Sequence, residues 1–398
     1  MPDTSNWVIM AYMNGNNELE PETVAAMREM EETVKQTSKT LLFLQIGRLA
    51  EKTVHILRPE LANSPAGDPW NGVRRYAISQ SGKVLLGELG ESNMADPQCL
   101  YDFLSFCMEH EAHHYMLILS GHSCEYIGLL NDYSGQEPCL MGIPELALVL
   151  EYIKKLFHKN IDILVLDTCY SNNIEFLCEL GASGSAVRTV LTHRGTAPSK
   201  GISYRELFST IGNRPDKSCV ETLLKQIIDN TSADLIAYRV DSMINAQIKE
   251  LFTELAKQYL SCPDEDLLQF LRSEDLRHPG RDYRDKLSGL IGDLIIGRKS
   301  ATQEPLQGIG VLDKYIPDQD TAKLYYRLSF ARDNYWTRLL CSRLPEKQFH
   351  FAVLVRFAPL ILGTGKIRAM IRSSNSSLSD DEADKILDKL IAERGWNI

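Results

Sequence analysis

Two short apolar runs constrain the fold of this chain more than any other feature. They are Tyr115-Met-Leu-Ile-Leu-Ser120 and Ile161-Asp-Ile-Leu-Val-Leu166. Each is too short for a core helix and too continuous for a strand with one wet face. Each therefore reads as a strand covered on both sides. Comparable runs at 7–13, 40–46, 74–79 and 189–192 alternate with stretches of helical spacing. Residues 21–37 carry Val24, Met27, Met30 and Val34, and residues 97–111 carry Leu100, Phe103, Leu104 and Cys107. Residues 144–158 open with Pro144, which suits a first helical turn. Strand and helix in alternation predict an α/β fold, a mostly parallel sheet flanked by helices. In such sheets chemistry gathers beyond the carboxyl ends of the strands.

Further along, 234–240 reads as a strand and 242–260 as a helix, with Pro263 at a natural break. Beyond it the pattern predicts a helix over 265–272 and strands over 323–330 and 349–357. A serine-rich linker at 373–379 follows, then a helix over 380–394 capped by Ser379. Gly363-Thr-Gly365-Lys366 lacks the spacing of a phosphate loop and reads as a turn. The chain thus divides into a domain over 1–262 and a smaller C-terminal domain of mixed α+β structure over 263–398.

Composition removes several functions. Among 398 residues Asp plus Glu is 53 against 43 for Lys plus Arg, a net charge of -10, which disfavours nucleic acid as a partner. The longest apolar candidate for a membrane span, 351–362, is short and broken by Arg356 and Pro359. The nine cysteines have no paired spacing and no CxxC. No disulfide framework or cysteine zinc site is expected, and the reading is a cytoplasmic protein with reduced thiols.

The two opening strands end in reactive residues. The first breaks at Gly121 to present His122, and the second ends in Asp167 and Cys169. One crossover helix lies between them, so a right-handed connection sets the strands parallel with both carboxyl ends on one edge. There an imidazole can take the proton of a thiol, and the thiolate suits acyl transfer.

These strand ends, with the first strand and turn WVIMAYMNGNNELE (7–20), Asn93-Met-Ala-Asp-Pro97, Ser120-Gly-His122 and Leu166-Asp-Thr-Cys169, resemble the clostripain-like cysteine peptidases (peptidase family C11). That family belongs to a caspase-like clan, so the resemblance implies a caspase-like fold. It implies a cysteine endopeptidase with Cys169 as nucleophile and His122 as its partner. The backbone N–H groups of Ser123 and Cys169 would form the oxyanion hole. Asp167 would receive an Arg or Lys side chain at P1, the residue before the cut. Partners would be protein substrates and an activating protease, and no cofactor is required, although calcium dependence is known in the family.

Three departures qualify this. Ser123 stands where relatives usually have Gly, which would strain a positive φ. The pocket-wall segment 193–204 offers His193, Arg194 and Lys200 where the family often has a second acidic group, so Lys200 is a substrate-binding candidate and an acidic P1 an alternative. Residues 124–152, between the His and Cys strands, contain no Lys or Arg, so self-processing there is not expected and the chain reads as a regulated effector or zymogen of a stress or defence pathway. Two competing functions are an inactive caspase-like interaction scaffold and a zinc metalloprotease. The latter rests on His110-Glu-Ala-His-His114, which matches H-E-x-x-H.

Overall fold

The computed structural model describes residues 5–37, 39–62, 70–184, 186–212, 219–260, 279–299, 319–332, 334–341, 359–375 and 377–398. In chain order the first half runs β1 (Ser5–Gly15), α1 (Glu20–Val34), β2 (Thr40–Arg48), α2 (Glu51–Leu57), β3 (Gly72–Ser79), β4 (Gly82–Gly90), α3 (Pro97–Met108) and β5 (Ala112–Ser120). Then come β6 (Ser123–Cys124), β7 (Gly128–Asp132), β8 (Cys139–Gly142), α4 (Ile143–Phe157), β9 (Ile161–Asp167), α5 (Ile174–Ala182) and β10 (Val187–His193). The remainder is α6 (Tyr204–Gly212), α7 (Val220–Asn230), β11 (Leu235–Arg239), α8 (Ser242–Leu260), α9 (Pro279–Leu294), β12 (Ile295–Arg298), α10 (Gln319–Tyr326), α11 (Tyr335–Leu340), β13 (Leu360–Ile361), α12 (Thr364–Ser374) and α13 (Asp380–Arg394).

Nine strands form one sheet in the order β12-β11-β10-β9-β5-β1-β2-β3-β4. The five central strands, β10 to β2 in that order, are parallel, and the two outer strands on each side run antiparallel. β1 shows why the predicted apolar runs are continuous. Trp7, Ile9, Ala11 and Met13 pack with α1, α6 and α7 on one face, while Val8, Met10 and Tyr12 pack with α3, α4 and α8 on the other. Strand order reverses at β1: the chain adds β2 on one side, then β5, β9 and β10 on the other. The crevice at such a reversal is where open α/β sheets place their sites. Register aligns the three strand ends there, with Met13 beside Ser120 and Ser120 beside Asp167.

A second, four-stranded sheet, β13-β8-β7-β6, rises from the end of β5. Its edge strand β13 comes from the C-terminal part of the chain, as does β12 of the large sheet. At the far end Ser379 caps α13 in a capping box with Glu382. Past it, Trp396 is buried with its ring centroid 5.6 Å from that of Tyr133.

The expected elements up to residue 260 are present with shifted ends; α3, for instance, stops at Met108 rather than 111. Residues 323–330 are not a strand: 323–326 belong to α10 and turns follow. Ala322 and Tyr325, three residues apart, are buried while Lys323 points out, so helical periodicity prevails over the strand preference of the tyrosines. The expected turn at 363–366 is instead the start of α12, with Gly363 as its N-cap. The serine-rich stretch contributes Ser373 and Ser374 to that helix. The elements expected over 265–272 and 349–357 lie outside the described residues.

Candidate active site

Three strand ends build the site. Past β1, residues 16–19 turn tightly, held by the side-chain amides of Asn14 and Asn17. Asn14 Nδ2 donates to the carbonyls of Leu130 (3.2 Å) and Asn131 (2.9 Å). Asn17 Nδ2 donates to Asn131 O at 3.0 Å, and Asn17 Oδ1 accepts the Leu19 N–H at 2.9 Å. This network holds Glu18 inside the protein, its side chain 1% exposed, with Oε1 3.1 Å from His122 Nε2. Burial opposes ionisation of Glu18, but His122, the residue's own backbone amide and Ser374 outweigh it and hold the carboxyl below the ordinary range.

At the end of β5, Gly121 takes a φ of +151°, and a Cβ there would meet Asn14 O and Leu130 at 3.4 Å. The glycine therefore turns the chain where it passes closest to the neighbouring strand end. His122 follows, 7% exposed. Its carbonyl accepts the Leu130 N–H at 2.7 Å, which makes Ser123 and Leu129 a non-hydrogen-bonded pair and points the Ser123 N–H away from β7. Ser123 is not among the residues with positive φ, so its replacement of the family's glycine strains nothing. Its hydroxyl instead donates to the carbonyl of Cys169, tying the two strand ends together.

Beyond β9, Cys169 is followed by Tyr170 at a φ of +53°, a left-handed position for a residue with a side chain. The Cys169 N–H makes no hydrogen bond among the described residues. Sγ lies 3.8 Å from Ala197 O. Burial pushes the thiol up, and the Asp167 carboxylate adds to this. His122 and Cys169 line the same cavity, of about 220 Å³, but are not hydrogen-bonded to each other. His122 makes its contacts through Nε2, to Glu18 and to Ser374 Oγ, also at 3.1 Å, which leaves Nδ1 open.

Asp167 and Lys200 also line the cavity, together with Glu22. Asp167 is held by His193 Nε2 (2.8 Å) and the Ile202 N–H (3.0 Å) on Oδ1, and by the Tyr204 hydroxyl (2.6 Å) on Oδ2. Of the three basic residues in the pocket-wall segment only Lys200 reaches the lining. His193 is buried beneath Asp167, and Arg194 pairs with Asp234 at 3.5 Å.

The H-E-x-x-H match does not form a metal site. α3 ends before it, so His110 lies in a turn against Phe43 while His114 is on β5, stacked on Trp7 at 4.8 Å. Glu111 pairs with Lys159 at 2.9 Å. Among the described residues no group of three or more His, Cys, Asp or Glu side chains is gathered to hold an ion.

Sequence reasoning missed Glu18 and Ser374. Glu18 stood inside the recognised 7–20 motif with no role assigned. Ser374 is 252 residues from His122, and nothing local signals that contact.

A parallel sheet whose adjacent strand ends present a histidine and a cysteine to one cavity defines the caspase-like class of cysteine peptidases. The Clostripain family model matches residues 11–266, and the chain belongs to that family. No curated protein matches the sequence significantly. Among solved structures, an inactive zymogen C11 protease from Parabacteroides distasonis superposes with a TM-score of 0.58 at 12% identity, covering 84% of this chain and 99% of its own. A secreted C11 cysteine protease from Bacteroides thetaiotaomicron, in complex with an irreversible peptide inhibitor, gives 0.57 at 11% identity, covering 82% and 98%. At these identities the likeness is one of fold. It extends beyond residue 266 over most of the chain.

Proposed function

We propose that this cysteine endopeptidase uses Cys169 as nucleophile and His122 as its acid–base partner, cutting after Arg or Lys. The observation that carries the reading is the placement of His122 and Cys169 on adjacent parallel strand ends in one cavity. His122 takes the thiol proton, and the thiolate adds to the scissile carbonyl. The N–H groups of Ser123 and Cys169, both left out of the sheet hydrogen bonding, stabilise the oxyanion. Imidazolium then protonates the leaving amine, and water hydrolyses the thioester through the same histidine. A basic P1 residue is supported by two carboxylates in the cavity wall, Asp167 and Glu22, the latter shared with Arg58 at 3.2 Å. Lys200 is the group opposing it.

We further infer that the described state is a resting one. The last turn of α12 enters the cleft, where Ser373 and Ser374 line the cavity and Ser374 Oγ sits on His122 Nε2. An activating event, such as cleavage by another protease, would withdraw it. The free state of every described cysteine supports a reducing, cytoplasmic setting, and protein substrates are the partners.

The test is hydrolysis of fluorogenic peptides varied at P1, comparing wild type, Cys169→Ala and His122→Ala. Arg or Lys turnover abolished by Cys169→Ala and unaffected by EDTA is expected. Turnover confined to acidic P1 peptides would assign the pocket to Lys200. Activity that survives Cys169→Ala would overturn the nucleophile.

A further inference from the structure

We propose that Glu18 is the positioning residue of the catalytic histidine, completing a Glu18–His122–Cys169 relay across the ends of β1, β5 and β9. The inference rests on the dyad proposed above. Glu18 and His122 are both buried, with side-chain exposures of 1% and 8%, and Oε1 to Nε2 is 3.1 Å. An ionised carboxylate can only accept, so Nε2 must carry a proton when it bonds to Glu18. In the neutral ring the lone pair then lies on Nδ1, the nitrogen without a hydrogen bond among the described residues and the one left for the thiol proton. A histidine whose far nitrogen is held by a carboxylate is fixed in both tautomer and orientation.

The surroundings hold Glu18 in place. Its turn is fixed on both sides by the amides of Asn14 and Asn17, which reach across to Leu130 and Asn131 in β7 of the small sheet. The same Leu130 binds the His122 carbonyl through its N–H. Carboxylate and imidazole are thus mounted on one rigid frame. The Ser374 hydroxyl donates to Oε1 at 3.1 Å while lying against Nε2, so the α12 contact leaves the pair intact.

A merely structural ion pair would behave differently from a positioning group when Glu18 becomes Gln. The amide can donate to Nε2, which puts the ring proton on Nδ1, the nitrogen that should take the thiol proton. Glu18→Gln is expected to lower kcat by about 100-fold or more, with KM within about threefold. Glu18→Asp, which keeps an acceptor, should recover at least about tenfold of that loss.

A readout independent of turnover is the rate of Cys169 alkylation by iodoacetamide against pH, followed on the full-length chain. Cys169→Ala serves as the blank for the other cysteines. Wild type, with Nδ1 free to take the thiol proton, should reach its plateau at a lower pH than His122→Ala. In Glu18→Gln the buried thiol must ionise unaided, so its rate should keep climbing into the alkaline range and follow His122→Ala. A Glu18→Gln profile superposed on wild type, or kcat lowered by less than about threefold, would overturn the relay while leaving the dyad standing. A His122→Ala profile identical to wild type would remove the dyad itself, and the relay with it.

Discussion

Gly201 is a residue whose side chain matters by its absence. It holds a φ of +67°, and a Cβ there would lie 2.3 Å from Asp167 Oδ2. Gly201→Ala therefore combines a disfavoured backbone with a collision against a carboxylate already bound by three partners. It should destabilise the fold by about 2–3 kcal/mol in urea titrations and raise KM for basic P1 peptides. Glu18 gives a pH-dependent counterpart. Its folded value is held below the unfolded one, near 4.3, so its contribution to stability is present above that pH. The contribution is lost as pH falls through the lowered value. The gap in urea midpoint between wild type and Glu18→Gln should be open at pH 5–7 and narrow progressively as pH falls below about 4. A gap independent of pH would place the effect of the substitution elsewhere.

At the level of elements, β4 is the least protected strand. It closes the β3 edge of the large sheet, and its Val84, Leu85, Leu86 and Leu89 are all exposed. An edge with open backbone groups and apolar side chains on both faces invites pairing with other chains. Leu86→Lys, far from the cavity, should reduce concentration-dependent association in light scattering and leave kcat/KM within about twofold. β4 was also illegible in the sequence, because GKVLLGELG neither alternates nor forms a continuous buried run. The parallel strands were readable for the opposite reason, since burial on both faces leaves no polar interruption. His122 and Cys169 were readable because each closes such a run. Glu18 lies in a loop and becomes a site residue only through the reversal of strand order at β1, which is a property of topology rather than of local pattern. Strand preference misled at 323–330, where tyrosines that favour sheets pack as a helix instead.

The C-terminal part of the chain reaches the cleft by a series of anchored steps. β13 pairs with β8, and the Leu362 N–H donates to Pro138 O at 2.7 Å. α12 runs from there to Ser374 on His122. α13 then packs on α2, and Trp396 beyond it meets Tyr133 edge-on, its Nε1 donating to Gly135 O at 3.1 Å. Arg394 donates to the neighbouring Ser134 carbonyl. These anchors fall on the β7–β8 hairpin, whose first strand also carries Leu130 and Asn131 and so supports the turn that holds Glu18. If the clamp holds the resting state, loosening its end should activate while it destabilises. Trp396→Ala removes a large buried ring and should cost about 3 kcal/mol. It should nonetheless raise kcat/KM severalfold, because Ser373 and Ser374 then leave the cavity more often. An anchor that served stability alone would lower melting temperature and activity together. Opposite movement of the two, measured on one preparation, separates a restraint on the site from a simple prop for the fold.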